Sequence, residues 1–220
     1  MKLSKESLRL YAVTDRMWLG SESLADQVEE SIKGGVTFVQ LREKKISFEE
    51  YVKIGKEIKK VTDKYQIPYV INDSVEVAIA CGADGVHVGQ KDMEGSDVRK
   101  RIGNDRILGI SVQTVEQALL AEEKGADYLG VGAVFTTSTK LDAEEVSYDT
   151  LKAICEAVSI PVIAIGGISK QNILKLKDSG IEGVAVISAI FAQKNICEAS
   201  REMRRLFDEL ISLNTSVMPE

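Results

Sequence analysis

Eight short apolar runs, each separated from the next by a longer amphipathic stretch, constrain this chain more than any other feature. They read LYAVT (10–14), FVQLR (38–42), PYVIN (68–72), GVHVG (85–89), ILGIS (107–111), YLGVGAV (128–134), PVIAIGG (161–167) and GVAVIS (183–188). The stretches between them have helical periodicity, as in SFEEYVKIGKEIKKVTDKY and TVEQALLAEEKG. Ser47 with Glu50 and Thr114 with Gln117 mark helix starts of the capping-box type. Strands joined by helices suit a parallel sheet, because parallel neighbours need crossover connections. A faint repeat supports this: GGVTFVQ, CGADGVHVG, KGADYLGVG and SGIEGVAV each place a helix-ending glycine before an apolar strand. Glycine suits that place because it takes the left-handed conformation at a helix C-terminus.

The strand count favours a closed (β/α)8 TIM barrel over an open doubly wound sheet, and 220 residues lie in the range such barrels occupy. No linker-like segment interrupts the pattern, so the expectation is a single domain over residues 1–220, with LNTSVMPE as a frayed tail from about 213. The formal net charge is −6, and the densest basic stretches, KEIKK and REMRR, interleave with acids. They lack the basic stripe of a nucleic-acid binder. No apolar run is long enough to span a bilayer, and the N-terminal residues show no signal-peptide core. Cys81, Cys155 and Cys197 are far apart, without metal-ligand spacing. Cytoplasm is the expected compartment, with Cys81 packed inside. The sequence does not set an oligomeric state.

In such a barrel the chemistry gathers at the C-terminal ends of the strands. The second run ends in Gln40, Arg42 and Lys44, which alternation would place on one face; the third ends in Asn72 and Asp73. The fourth is followed by Asp92, the fifth ends in Ser111, and the sixth runs into FTTSTK, with Thr137, Ser138, Thr139 and Lys140. The last two end in Gly166-Gly167 and Ile187-Ser188, where barrels often bind phosphate through backbone N–H groups. Arg42 and Lys44 can hold phosphate oxygens, or belong to a solvated loop that Glu43 neutralises. The hydroxyl loop suits phosphate as well as ordinary turn chemistry. Asp73 and Asp92 can hold Mg²⁺ beside a pyrophosphate, while Asp73 with Glu76 can equally cap a helix. Ser169 reads as the cap of the next helix. His87, the sole histidine, lies inside a strand and reads as packed rather than as a general base.

Taken together, LYAVTD, VQLREK, INDSVEVA, GADGVHVGQKD, YLGVGAVFTTSTK, IPVIAIGGIS and GVAVISAI resemble the thiamine-phosphate synthase family, from about Leu10 to the last helix. The resemblance implies condensation of 4-amino-2-methyl-5-(diphosphooxymethyl)pyrimidine with 4-methyl-5-(2-phosphooxyethyl)thiazole, giving thiamine phosphate and pyrophosphate with Mg²⁺ as cofactor. Gln40, Leu41, Arg42, Glu43, Lys44, Asn72, Ser111 and Lys140 then match the pyrimidine pyrophosphate site. The same resemblance implies that Arg42, Lys44, Ser111 and Lys140 act in catalysis. Thr137, Ser138, Thr139, Gly167, Ile187 and Ser188 match the thiazole phosphate site, and Asp73 and Asp92 the metal.

Two positions depart from the family pattern: Thr136 stands where many members carry proline, and Gln113 where many carry histidine. The related thiazole tautomerases use a histidine in the latter region for proton transfer, so Gln113 counts against tautomerase activity. A phosphate-binding barrel isomerase and a non-catalytic binder of thiamine precursors are the alternative readings.

Overall fold

The structure, a computed structural model, describes residues 3–90, 98–136 and 145–215. Eight parallel strands pair in sequence order and close into a barrel, the last pairing with the first. They are β1 Leu10–Val13, β2 Phe38–Leu41, β3 Tyr69–Asn72, β4 Gly85–Val88, β5 Ile107–Val112, β6 Tyr128–Val131, β7 Val162–Ile165 and β8 Gly183–Val186. Every apolar run read from the sequence supplies one of them. PVIAIGG stops pairing at Ile165 because Gly166, at φ 99°, turns the chain out of the sheet.

Alternation along each strand divides the core in two. Residues such as Leu41, Ile71, Val86, Leu108 and Val131 face outward and pack under the helices. Tyr11, Phe38, Val70, Ile107, Tyr128 and Ile163 fill the barrel itself. The Tyr11 and Phe38 rings lie 4.4 Å apart between centroids, and Phe38 meets Tyr128 edge-on at 5.6 Å. Aromatic rings of this bulk fit only because other inward positions are small: Gly109 and Gly130 are inward-facing neighbours of His87.

The crossover helices begin where their caps predict. Ser47 Oγ accepts from the Glu50 amide at the start of the helix Phe48–Tyr65. Thr114 Oγ1 accepts from the Gln117 amide before the helix Val115–Glu123, and Gln117 Oε1 accepts from the Gln113 amide at 2.8 Å. The four repeat glycines, Gly35, Gly82, Gly125 and Gly180, have φ of 110°, 73°, 81° and 88° and precede β2, β4, β6 and β8.

Two expectations are corrected. The last helix, Ile196–Thr215, continues three residues into the segment read as a frayed tail. A 3-10 helix, Ile173–Leu176, follows β7, and Asn172 rather than Ser169 occupies its cap position. Asn172 uses its side chain to bridge the Ser169 amide and the Gly167 carbonyl, which holds the loop in a turn. Cys81 is buried, as expected.

Candidate active site at the barrel mouth

The end of β3 places Asn72 and Asp73 together at the mouth. Asp73 has left-handed backbone, φ 62°, which aspartate tolerates better than most residues. Its amide donates to the His87 carbonyl on β4 at 2.8 Å, and its Oδ2 accepts from Asn72 Nδ2 at 2.6 Å. The capping role expected of Asp73 belongs to its neighbour: Ser74 Oγ accepts from the Val77 amide at the start of the helix Val75–Cys81. The reason is geometric, since an N-cap residue needs extended backbone and Asp73 is left-handed. Its carboxylate is therefore exposed at the mouth instead of folded under the helix.

The end of β2 behaves differently from simple alternation. The strand stops at Leu41, and Lys45 turns left-handed at φ 60°, so Arg42 and Lys44 lie on a loop. The Arg42 amide donates to Thr14 Oγ1 at 3.1 Å, fixing the loop to the end of β1. Leu41 points into the outer core, so only its backbone is turned to other use: the Tyr51 hydroxyl lies 3.0 Å from its carbonyl and 3.2 Å from that of Asn72. Glu43 neutralises Arg16 of the preceding loop, at 3.7 Å, and its Oε1 has no hydrogen-bond partner among the described residues. Burial pushes the Glu43 carboxyl above its ordinary range, with the Arg16 charge opposing the shift.

Below the mouth a chain of polar groups crosses the barrel. Gln40 Nε2 donates to the Tyr11 hydroxyl at 2.6 Å, which lies 2.8 Å from the Tyr128 hydroxyl. Tyr128 is 2.8 Å from His87 Nδ1, and His87 Nε2 is 2.9 Å from Ser111 Oγ. His87 is thus packed and hydrogen-bonded, as its position within a strand implied. Gln90 Nε2 donates to the Ser111 carbonyl at 2.6 Å, steadying the end of β5. Sequence reasoning missed Tyr11 and Tyr128. Their signal was legible: inward tyrosines on fully buried strands need hydroxyl partners, and the glycines of LGIS and YLGVG leave room for them.

At the ends of β7 and β8 the expected glycine turn is present. Gly166 and Gly167 have φ of 99° and 65°. What presses on Gly167 is this chain's own backbone: a Cβ there would stand 2.5 Å from the Thr136 carbonyl oxygen and 2.7 Å from that of Phe135. The glycine therefore lets the loop after β6 lie against the end of β7. Ile187 and Ser188 follow β8 directly, and Ser188, exposed, opens the short helix Ser188–Phe191. Asp92, Thr137, Ser138, Thr139 and Lys140 lie outside the described residues.

The described residues hold no group of three His, Cys, Asp or Glu side chains that could bind a metal by themselves. Asp73 offers one exposed carboxylate at the mouth, which suits Mg²⁺, an ion that often takes one or two carboxylates and completes its shell with substrate phosphate and water. No helix among the described residues is long and apolar enough to cross a membrane.

The closed parallel barrel, with its polar groups at the C-terminal strand ends and paired glycines after β7, defines a TIM-barrel protein with its candidate site at the barrel mouth. The family model described as thiamine monophosphate synthase matches residues 10–190. The chain is 52% identical over 200 residues to a thiamine-phosphate synthase of Clostridium tetani, covering 91% of this chain and 96% of that protein. It is 50% identical over 204 residues to one of Ruminiclostridium cellulolyticum, covering 93% and 97%. Its fold superposes on a thiamine phosphate pyrophosphorylase from Pyrococcus furiosus with a TM-score of 0.86 at 40% identity, over 94% of this chain and 98% of the other. The chain belongs to the thiamine monophosphate synthase family.

Proposed function

We propose that this protein joins 4-amino-2-methyl-5-(diphosphooxymethyl)pyrimidine to 4-methyl-5-(2-phosphooxyethyl)thiazole, releasing pyrophosphate and forming thiamine phosphate, in the cytoplasm. The observation that carries the reading is the Asn72–Asp73 pair at the end of β3, an amide beside an exposed carboxylate in a chain 52% identical to a protein of that name. Asn72 reads the pyrimidine; Asp73 and Asp92 hold Mg²⁺, which when bound neutralises charge on the leaving pyrophosphate.

Arg42, Lys44, Ser111 and Lys140 stabilise the charge that grows on the pyrophosphate as the carbon–oxygen bond breaks. The aminopyrimidine ring delocalises the positive charge left behind, so substitution proceeds dissociatively. The thiazole nitrogen captures the cation with its own lone pair, and no general base is required. Thr137, Ser138, Thr139, Gly167, Ile187 and Ser188 anchor the thiazole phosphate so that this nitrogen, rather than water, reaches the cation. Acid–base isomerisation is disfavoured because the sole histidine has both ring nitrogens engaged inside the barrel.

The test is pyrophosphate release by the purified protein. It should require both substrates and Mg²⁺; release with either substrate omitted, or none with all three present, overturns the assignment.

A further inference from the structure

The groups from Gln40 to Ser111 form one unbroken path of short hydrogen bonds, 2.6, 2.8, 2.8 and 2.9 Å, through the barrel interior. Its first link has a direction, since the Gln40 amide nitrogen can only donate. Tyr11, having accepted from Gln40, has the Tyr128 oxygen as the neighbour for its own proton. With Tyr11 donating to it, Tyr128 has His87 Nδ1 as the acceptor for its own hydroxyl hydrogen. An imidazole that accepts at Nδ1 carries its hydrogen at Nε2, and that hydrogen faces Ser111 Oγ. With one lone pair of Ser111 so occupied, its hydroxyl hydrogen is turned away from the histidine.

The surroundings are shaped for this path. A Cβ on Gly109 would stand 2.3 Å from the Tyr128 hydroxyl and 2.5 Å from His87 Nδ1, and one on Gly130 would stand 3.1 Å from His87 Cε1. Burial favours the protonated form of both phenols, so each link keeps its proton.

We infer that Tyr11, Tyr128 and His87 are positioning residues: their directed hydrogen bonds fix His87 as the Nε2–H tautomer and aim the Ser111 hydroxyl hydrogen out of the barrel, as a donor to the leaving pyrophosphate. This rests on the reaction proposed above. All three are buried inside the barrel and act through Ser111. A hydroxyl already pointing at the leaving group pays no reorganisation when charge develops there.

His87 is the only histidine in the chain, so ¹⁵N-histidine labelling reports one imidazole. In the substrate-free protein, the ring-nitrogen shifts and their couplings to the ring carbons should show the neutral Nε2–H form. Tyr128→Phe should mix the two tautomers, and Tyr11→Phe, one link further away, should do so to a smaller extent. An Nδ1–H tautomer in the wild type, or no change in Tyr128→Phe, overturns the inference. This arm uses no substrate, so it can fail while wild-type pyrophosphate release still supports the synthase assignment, and the reverse.

The second arm is kinetic. Tyr128→Phe should lower the single-turnover rate about fivefold, the equivalent of one ordinary hydrogen bond, with KM for either substrate unchanged. The loss should vanish when Ser111→Ala is the background. An equal loss in both backgrounds would mean that Tyr128 acts through packing alone, and would overturn the positioning role.

Discussion

The amide of Asp73 donates to the carbonyl of His87 across 2.8 Å, so the residue that follows β3 is held by the next strand rather than by the helix it precedes. The left-handed backbone of Asp73, φ 62°, follows from that tie, and it presents the carboxylate at the barrel mouth. The division of labour with Ser74, which does the capping, makes two neighbouring residues separable by experiment.

Asp73→Asn should retain the turn, because asparagine is among the residues best suited to left-handed backbone. Stability should change by no more than about 0.5 kcal/mol. Activity should fall most at limiting Mg²⁺, and part of the loss should return at high Mg²⁺. Ser74→Ala should do the opposite, costing about 1 kcal/mol with the Mg²⁺ dependence untouched. Chemical denaturation and Mg²⁺ titration of both variants decide the matter; an unaltered Mg²⁺ response in Asp73→Asn would remove that residue from the metal site.

Gly109→Ala tests how tightly the barrel interior is filled. The added methyl group would lie 2.2 Å from the Tyr128 ring and 2.5 Å from His87, too close for either to stay. Overpacking of this kind costs about 1–3 kcal/mol. Urea unfolding measures it, and a variant as stable as the wild type would show that the interior can yield.

Gly167→Ala combines a left-handed φ of 65° with a Cβ 2.5 Å from the Thr136 carbonyl oxygen. The backbone strain alone is about 1–2 kcal/mol. Because the loop after β6 rests on this glycine, the apparent affinity for the thiazole phosphate should fall more than that for the pyrimidine pyrophosphate. The non-phosphorylated thiazole alcohol should be a poor substrate of the wild type and should lose little further in the variant. Substrate titrations with both thiazoles check this; equal apparent affinities for alcohol and ester would mean that the phosphate is not anchored.

Glu43 carries a pH prediction. Its carboxyl is pushed upward by burial, so the folded chain favours the protonated form more than the unfolded chain does. The stability that this group contributes is complete below its unfolded value and is lost as pH rises through its raised folded value. Glu43→Gln has no such dependence. The stability of the wild type relative to Glu43→Gln should therefore decline from acid toward neutral pH, in paired thermal melts; a constant difference would show that the Arg16 charge compensates burial fully.

The sequence by itself determined the barrel. Eight apolar runs with helices between them leave little choice but parallel pairing, and the repeat glycines at 35, 82, 125 and 180 marked where alternate crossovers turn back. It also determined which candidate site residues stand at or just beyond the strand ends, since Asn72, Ser111, Gly167 and Ser188 follow from strand boundaries alone. The tertiary structure decided what those residues do to one another. That Asp73 yields the cap to Ser74 depends on the amide just after β3 meeting a carbonyl on β4. That Glu43 pairs with Arg16 depends on two loops converging. That Gln40 is linked to Ser111 depends on residues from five strands meeting inside one cylinder. Strand periodicity assigns a residue to a face, but a hydrogen bond needs a partner distant in sequence at less than about 3.2 Å, and only the closure of the barrel brings such partners together.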